Sequence, residues 1–352
     1  MFDLYTAVIL LTIIFLGITV VDVETNQLIT KDTKIKSELT CLLIGVASLS
    51  EWTGVVTNGA AASFILLHKI TKLVEFCAAP AIGVGAAIAY GDAKKPKMAI
   101  ALVCVHAIFE CIAACFGLVF YVDAQNVYHR EILYMVYVVA FLLSLIYCIV
   151  SILHNGKEYQ MGMDSVLVLT LCMLVIGIGI QFVYSNIRID YLCIAMGNIM
   201  FSTRYYKMML QVDAVTRLLN RRCYDVNITD MGPRAVIVFF DVDKFKQVND
   251  TYGHLVGDIC LKNVALKLRN VYGKYGLCYR IGGDEFCVIL NDGIEKLEEL
   301  NEEFASAIQT LQNEDKRMPD VSIGYAYYDA ASSHIQNVIE EADAMLYKNK
   351  NK

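Results

Sequence analysis

Long apolar segments fill the first 205 residues and limit the possible folds more than any other feature. Hydrophobic residues make up 57% of the 352 positions, and the mean hydropathy of +0.49 is too high for an ordinary soluble protein. A helix needs about 20 mostly apolar residues to cross a bilayer. We predict an α-helical transmembrane bundle of about seven spans, near residues 4–21, 39–56, 73–90, 98–122, 132–153, 165–184 and 191–207. Residues 61–72 are either an interfacial helix or a polar-broken start of the third span.

The basic residues between the predicted spans indicate the orientation of the bundle. Lysine and arginine are enriched in short cytoplasmic loops. After the first, third, fifth and seventh spans these residues are Lys31, Lys34, Lys36, Lys94, Lys95, Lys97, Lys157, Arg204 and Lys207. The alternate loops hold only Lys69, Lys72, Arg130 and Arg188. We therefore predict a multi-pass protein of the cell inner membrane or plasma membrane, with its N-terminus outside and its C-terminal domain in the cytoplasm.

Ionisable residues inside the predicted spans are candidates for sensing, because burying them in hydrocarbon is costly. His106 and Glu110 lie four residues apart on one helix face, which we expect to turn toward the bundle interior. There the pair either only packs between helices or serves as a ligand, proton or metal site. Glu51 and Glu75 are expected near span ends, where their carboxylates reach the headgroups. Three cysteines lie on a nearly opposite face of the His106 helix, so one metal cannot gather them with the pair: Cys104, Cys111 and Cys115.

A pair of glycines separates two short β-type runs, residues 277–281 and 286–290. Gly282 and Gly283 are typical of a tight hairpin whose turn needs a positive φ. With no side chains at the bend, a ligand can approach the backbone, and Asp284 and Glu285 offer hard oxygen ligands to Mg²⁺. An ordinary solvated turn has a similar composition, so this motif alone leaves both interpretations open.

A second acidic motif follows an apolar run. Residues 235–240 are all apolar, which predicts a buried strand, and this run ends in Asp241, Val242 and Asp243. Two acidic strand ends side by side in one sheet hold one or two Mg²⁺ ions, with Mn²⁺ as an alternative. The two motifs together indicate a site for nucleotidyl transfer.

These motifs and their flanking sequence resemble the GGDEF family of diguanylate cyclases. The similar stretches are DAVTRLLNRR at 213–222, FDVDKFKQVNDTYGHLVGD at 240–258, RIGGDEF at 280–286, VSIG at 321–324 and ADAMLYKNK at 342–350. The resemblance implies an α/β domain with a mostly antiparallel sheet flanked by helices, like the palm domain of nucleotidyl cyclases. It also implies that a homodimer with one GTP per domain forms cyclic di-GMP and two pyrophosphates.

The resemblance further implies roles for individual residues. Asp241 and Asp284 would bind the metal with the carbonyl of Val242, and Glu285 would serve as a second carboxylate or as the base at the attacking 3′-hydroxyl. Arg280 would support this catalytic set. The substrate would be bound by Asn249 and Asp258 at the guanine edge, by Lys246 and Lys350 at the phosphates, and by the bend at Gly282 and Gly283.

These expectations divide the chain into three parts. They are a membrane sensor domain at 1–207, a short signalling helix at 208–216 and a GGDEF domain at 217–352. No Pro or Gly follows Gly197 before Asp213, so the last span is expected to continue as a helix to that residue. Neither half of the chain is basic, so no nucleic acid is expected as a partner. The expected partners are GTP, a second copy of the chain, the lipid bilayer and downstream receptors of cyclic di-GMP.

Some positions depart from the family pattern. Gly273 and Gly276 stand where the family has an inhibitory Arg-x-x-Asp site, so product feedback through that site is not expected. Arg217 replaces a usual glycine.

One rival function is a non-catalytic GGDEF sensor that binds nucleotide and signals through contacts. Another is a membrane transporter or receptor with a vestigial domain. Retention of both acids, Asp284 and Glu285, favours the cyclase.

Overall fold

Internal packing divides the chain between Met209 and Leu210 into two units. The computed structural model describes residues 2–27, 29–91, 93–159, 164–184 and 187–351, without the side chains of residues 2, 3, 157, 158 and 182. Lys157, which contributed to the predicted orientation, lies outside the described side chains.

The described part of the first unit consists of seven α-helices and a short hairpin. The helices are α1 (Phe2–Thr25), α2 (Lys31–Thr57), α3 (Ile65–Tyr90), α4 (Pro96–Cys115), α5 (Tyr134–Glu158), α6 (Ser165–Val183) and α7 (Asp190–Gln211). The hairpin pairs β1 (Phe120–Val122) with β2 (Tyr128–Arg130). Local sequence sets several helix starts: the side chains of Thr30 and Asp164 cap α2 and α6, and Pro96 occupies the first turn of α4.

Five of the described helical segments are long and apolar enough to cross a membrane. They are Leu4–Thr25, Lys31–Thr57, Ala62–Tyr90, Pro96–Cys115 and Tyr134–Gly156, whereas Ser165–Gln181 is apolar but shorter. These many apolar helices agree with the predicted membrane bundle. The count of about seven spans stays a prediction.

Three predicted boundaries differ from the structure. The fourth span does not reach residue 122: α4 ends at Cys115, Gly117 adopts a φ of 64°, and residues 120–122 form β1. Residues 61–72 begin the third span, because a 3₁₀ turn at Ala62–Phe64 leads directly into α3. The helix predicted to continue to Asp213 stops at Gln211, where Val212 instead pairs with Leu219 in a β-bridge.

The second unit is an antiparallel sheet covered by helices, as predicted. Its sheet has the order β4-β5-β3-β6, with all neighbours antiparallel. The strands are β3 (Arg234–Val242), β4 (Gly276–Arg280), β5 (Glu285–Leu290) and β6 (Val321–Asp329). The helices are α8 (Arg221–Asn227), α9 (Phe245–Tyr252), α10 (His254–Tyr272), α11 (Leu297–Glu314) and α12 (Ile335–Lys350).

Strand β3 is at the centre of this unit because both of its faces are apolar. Val238 and Phe240 pack on one side with residues of α10 and α11. Ile237 and Phe239 pack on the other side with residues of α8 and α12. Side chains alternate between the two faces of a strand, so a continuous apolar run is what a strand covered by helices on both faces requires. The acidic end of β3 emerges from this core.

Candidate active site

Asp241 and Glu285 oppose each other across two neighbouring strands. The antiparallel register of β3 and β5 pairs them directly, and opposed residues direct their side chains to the same face of a sheet. The N–H of Val242 donates to the carbonyl oxygen of Asp284 at 3.1 Å, so the strand end touches the bend. Asp241 is buried, whereas Glu285 is exposed. The structure thus brings the two predicted acidic strand ends together.

The bend between β4 and β5 is open to a ligand, but it differs from the predicted turn. The N–H groups of Ile281 and Gly282 donate to the carbonyl oxygen of Glu285 at 3.0 and 3.3 Å. Neither Gly282 nor Gly283 has a positive φ, so the prediction of a left-handed turn is wrong. The close approach of Glu285 explains Gly282 instead, whereas Gly283 lies in open space that a ligand can enter. A Cβ on Gly282 would lie 2.5 Å from Oε2 of Glu285, and a Cβ on Gly283 would have no neighbour within 4 Å.

Lys350, the last residue of α12, contacts the carboxylate of Asp241. Its Nζ lies 2.7 Å from Oδ1 of Asp241. This hydrogen bond raises the pKa of Lys350, and the nearby charges of Asp284 and Asp243 act in the same direction. The predicted role of Lys350 is a phosphate contact, but here its ammonium group balances the charge of the acids.

Asp243, the second acid of the β3 motif, is held by β6. The hydroxyl of Ser322 lies 2.9 Å from both carboxylate oxygens and donates to them. Burial raises the pKa of Asp243, against the opposing effect of this hydrogen bond. Ser322 therefore fixes the carboxylate of Asp243 beside Asp241.

Asp213 fixes the bend through Arg280. Nη1 of Arg280 donates to Oδ1 of Asp213 at 2.9 Å, and Nη2 donates to the carbonyl oxygen of Gly283 at 2.7 Å. Thr216 donates its N–H and its hydroxyl to the same Oδ1, each at 2.8 Å. Burial opposes the charge on Asp213, but these bonds outweigh it and hold its pKa below the ordinary value. Sequence reasoning gave Asp213 no role, although its place at the start of the stretch 213–222 was an available signal.

The two residues predicted to read guanine lie on consecutive helices. Asn249 is on α9 and Asp258 is on α10, and Gly253, with a φ of 84°, forms the turn between them. A Cβ on Gly257 would overlap Oδ1 of Asn249, so this glycine allows the amide to lie against α10. The amide therefore lies beside the residue that precedes Asp258. Lys246, also on α9, is exposed.

A cleft of about 800 Å³ opens beside the acidic strand ends. Its wall includes Asp243, Lys244, Arg317 and Lys350. Among the residues predicted to bind substrate, Lys350 alone belongs to this wall. The predicted guanine and phosphate residues are thus distributed over two neighbouring parts of the domain surface.

Oxygen donors at the strand ends suit a divalent cation. In the described part of the chain, no three His, Cys, Asp or Glu side chains converge as a ready metal cage. Mg²⁺ usually keeps several waters and takes one or two carboxylates together with substrate phosphates. The opposed pair Asp241 and Glu285 meets that smaller requirement. The ammonium of Lys350 on Asp241 shows that positive charge is stabilised at this point.

The predicted pair His106 and Glu110 is buried in the first unit, residues 1–209, which we call the membrane unit. Nε2 of His106 lies 3.5 Å from Oε1 of Glu110 and 3.3 Å from the carbonyl oxygen of Phe76. Neither carboxylate oxygen of Glu110 has a hydrogen-bond partner among the described residues. The three cysteines on the other face of α4 are exposed: Cys104, Cys111 and Cys115.

Comparison with known proteins gives a consistent result for the second unit. Residues 210–352 match the family model for the diguanylate cyclase GGDEF domain. Diguanylate cyclase DgcS of Shewanella oneidensis is 32% identical over 156 residues, which cover 42% of this chain and 52% of that protein. Diguanylate cyclase DgcP of Escherichia coli is 30% identical over 149 residues, which cover 39% of this chain and 44% of that protein. The chain therefore spans about half the length of the curated relatives it matches.

Solved structures also match this region. The coiled coil and GGDEF domain of DgcB from Caulobacter crescentus, in complex with c-di-GMP, is 28% identical with a TM-score of 0.37 and covers 40% of this chain and 81% of that one. Diguanylate cyclase SiaD from Pseudomonas aeruginosa, in complex with its activator SiaC, is 28% identical with a TM-score of 0.37. That match covers 43% of this chain and 65% of SiaD.

Proposed function

We propose that this protein is a membrane-bound diguanylate cyclase, which condenses two GTP molecules into cyclic di-GMP and two pyrophosphates. Its residues 210–352 match the family model for the GGDEF domain. The observation that carries the proposal is the register of β3 and β5. It sets Asp241 opposite Glu285 beside the open bend at Gly282 and Gly283.

The acids at the strand ends would hold a divalent cation, which we propose to be Mg²⁺, with Mn²⁺ as a substitute. Asp241, Asp284 and Glu285 would supply carboxylates, and Val242 its main-chain carbonyl. When bound, the cation activates the attacking hydroxyl and neutralises charge on the reacting phosphate. Glu285 is the exposed acid of the opposed pair, which suits it to accept the proton of the 3′-hydroxyl.

The cations around the site would bind the phosphates of GTP. Lys350, which contacts Asp241 at 2.7 Å, would contact a phosphate of GTP when Asp241 helps to hold the cation. Lys246 on α9 is a second phosphate contact. Arg280 supports the bend through its bond to the carbonyl of Gly283.

Asn249 and Asp258 would select guanine over adenine. An amide and a carboxylate together offer a donor to O6 and acceptors to N1–H and the N2 amino group. Adenine would leave these groups unpaired, which is costly in a partly buried site. GTP is therefore the proposed substrate.

Two chains would be needed for one product molecule. Cyclic di-GMP has two identical halves, and each domain supplies one bound GTP whose 3′-hydroxyl attacks the α-phosphate of the other. A twofold homodimer provides this arrangement. The membrane unit, with the N-terminus outside and the catalytic domain in the cytoplasm, would regulate the pairing, and His106 and Glu110 are a candidate sensing pair within it. The product would act through downstream receptors.

Product formation by the full-length protein tests the proposal. The purified protein in lipid nanodiscs should convert GTP with Mg²⁺ into cyclic di-GMP and pyrophosphate, as measured by chromatography, and should leave ATP unchanged. Glu285→Gln should lower the rate at least about 100-fold. Asp292→Asn is the matched control, because Asp292 is an exposed acid beyond the far end of β5. Equal rates for Glu285→Gln and the control contradict the assignment.

A further inference from the structure

A cavity in the membrane unit is lined by charged and aromatic side chains that have no role in the proposed function. It has a volume of about 120 Å³, close to that of protein cavities of about 150 Å³ that accommodate benzene. Residues of α5, α6 and α7 line it together with Arg130 at the end of β2. The loops beside it, between α4 and α5 and between α6 and α7, are those predicted to lie outside the cell.

Asp190 supplies a carboxyl group to this cavity. It is the first residue of α7 and lines the wall. The amide nitrogen of Gln181, oriented to donate, lies 2.9 and 2.8 Å from the two oxygens of Asp190. This amide is neutral, so it satisfies hydrogen bonds without supplying the positive charge that stabilises a buried carboxylate. A bound cation would do so.

Arg188, the arginine nearest to Asp190 in the sequence, pairs with Glu51 instead. Nη1 of Arg188 donates to Oε1 of Glu51 at 2.8 Å. The hydroxyl of Tyr5 donates to Oε2 of Glu51 at 2.5 Å. Glu51 is therefore buried and paired, and the expectation that it reaches the headgroups is wrong. The network therefore commits Arg188 to Glu51 rather than to Asp190.

Aromatic rings form one side of the cavity. Tyr137 and Phe141 line it from α5, with ring centroids 6.3 Å apart and planes nearly parallel. Phe76 stacks on Tyr137 at 4.4 Å and so fixes its ring. Tyr191, beside Asp190, also lines the wall. Ring faces attract organic cations, and alkylated ammonium groups are recognised by such aromatic walls.

Arg130 adds a positive charge to the same wall. Its guanidinium lies 4.6 Å from the ring centre of Tyr134, another wall residue, and it is exposed. A planar guanidinium of this kind binds carboxylates through paired hydrogen bonds. The cavity therefore presents one positive group, one carboxyl group that a bound cation would ionise, and aromatic faces.

We propose that this cavity binds a small zwitterion that carries an alkylated ammonium group and a carboxylate. The ammonium end lies against the aromatic rings and Asp190, and the carboxylate faces Arg130. A ligand with a single charge would engage either Arg130 or Asp190 but not both, which favours a zwitterion. The volume suits a molecule of about eight non-hydrogen atoms.

Titration calorimetry on the full-length protein in nanodiscs tests the site with glycine betaine as the probe. Two ligands of similar shape serve as controls: 3,3-dimethylbutanoate, in which carbon replaces the charged nitrogen, and choline, which lacks the carboxylate. We expect betaine to bind at least about tenfold more tightly than either, or about 1.4 kcal/mol. Similar affinities for all three ligands, or no binding of betaine at millimolar concentration, would overturn the proposal.

Variants of Asp190 and Arg130 test whether betaine binds in this cavity. Asp190→Asn keeps the shape and should weaken betaine binding about tenfold or more. Arg130→Gln should weaken betaine binding while leaving choline binding unchanged. Lys69→Gln is the control, because Lys69 is an exposed cation in a predicted outside region and is not part of this wall. Wild-type betaine affinity in folded Asp190→Asn or Arg130→Gln protein overturns the assignment, and thermal unfolding without ligand reports the folding of each variant. Neither measurement depends on cyclase activity.

Discussion

The bend at Gly283 is held by a single guanidinium. Arg280 bridges the carbonyl oxygen of Gly283 and the carboxylate of Asp213, and Asp213 precedes Thr216, which donates two further hydrogen bonds to it. This arrangement ties the first residues of the second unit to the bend where the acids lie. We expect Asp213 to act as a positioning residue for the hairpin rather than to touch the substrate.

Replacing Asp213 tests this role through stability and its dependence on pH. We expect Asp213→Asn to lower the free energy of unfolding of residues 210–352 by about 1–2 kcal/mol at neutral pH, because the charge-assisted bond to Arg280 is lost. The pKa of Asp213 is lowered in the folded state, so its stabilisation is present at neutral pH and is lost as the pH falls through that lowered value. The difference should shrink below about pH 4. Urea unfolding between acidic and neutral pH measures it.

An exposed acid provides the control. Asp225 pairs with Arg221 at 2.8 Å, but both side chains are more than half exposed, and such surface pairs contribute little. Asp225→Asn should change the free energy of unfolding by less than about 0.5 kcal/mol. An Asp213→Asn effect that matches this control, or that persists undiminished at the lowest pH, contradicts the role given to Asp213.

The positions of individual site residues were predictable from the sequence where those residues belong to a recognisable motif. Asp241 and Glu285 were expected to converge, and the register of β3 and β5 opposes them. The ion pair between Asp213 and Arg280 was not foreseen, because 67 residues separate its members. Local patterns do not report contacts of that range. The conformation at Gly282 was also mispredicted, since its lack of a side chain makes room for Glu285 rather than permitting a positive φ.

Among the elements, α12 has the largest influence on the position of Lys350. This helix packs on β6 at Gly324, where a Cβ would overlap the backbone of Ala342 and Leu346. The close approach is therefore possible only without a side chain. Because Lys350 is the last residue of α12, the packing at Gly324 fixes where its ammonium group meets Asp241.

Gly324→Ala should push α12 away from the sheet. We expect a loss of about 1–3 kcal/mol in the free energy of unfolding, as for other overpacked cores, and slower product formation because Lys350 is displaced. Gly232→Ala is the matched control, since its Cβ would meet no atom closer than 3.8 Å. Urea unfolding and the chromatographic assay measure the two effects. Equal stability and activity of the two variants would show that the packing at Gly324 does not position Lys350.

Elements were predicted well where their apolar pattern was continuous. The apolar run 235–240 gave β3, and the two short runs around the glycines gave β4 and β5. The end of α4 was mispredicted because residues 117–122 are as apolar as the helix before them. Only the φ of 64° at Gly117 and the pairing of β1 with β2 separate the two elements.

The whole molecule combines an apolar helical unit with a domain that matches the GGDEF family model. The sequence predicted both parts, because hydropathy identifies long apolar helices and the motifs are specific. It did not predict the polar network inside the helical unit. Arg188 and Glu51 are 137 residues apart and both come from regions assigned to span ends. Burying them together requires the folded bundle, which no local pattern encodes.

Mixing active and inactive chains tests the homodimer. Wild-type protein and Glu285→Gln protein, combined in equal amounts and allowed to exchange subunits, form matched wild-type dimers in about a quarter of cases. If both subunits are needed, the activity should fall to about a quarter of that of the same total amount of wild-type protein. An activity of about half means that each chain acts alone, which contradicts the proposed dimer. Asp292→Asn protein in the same mixture should leave the activity unchanged.

We propose that carboxylates from neighbouring strands hold the divalent cation required for GTP turnover. Electron paramagnetic resonance of Mn²⁺ bound to the full-length protein, with a non-hydrolysable GTP analogue, measures this directly. We predict that Asp241→Asn and Glu285→Gln each weaken Mn²⁺ binding at least about tenfold, while Asp292→Asn binds as the wild type does. Unchanged Mn²⁺ binding in both site variants would contradict a cation site at Asp241 and Glu285.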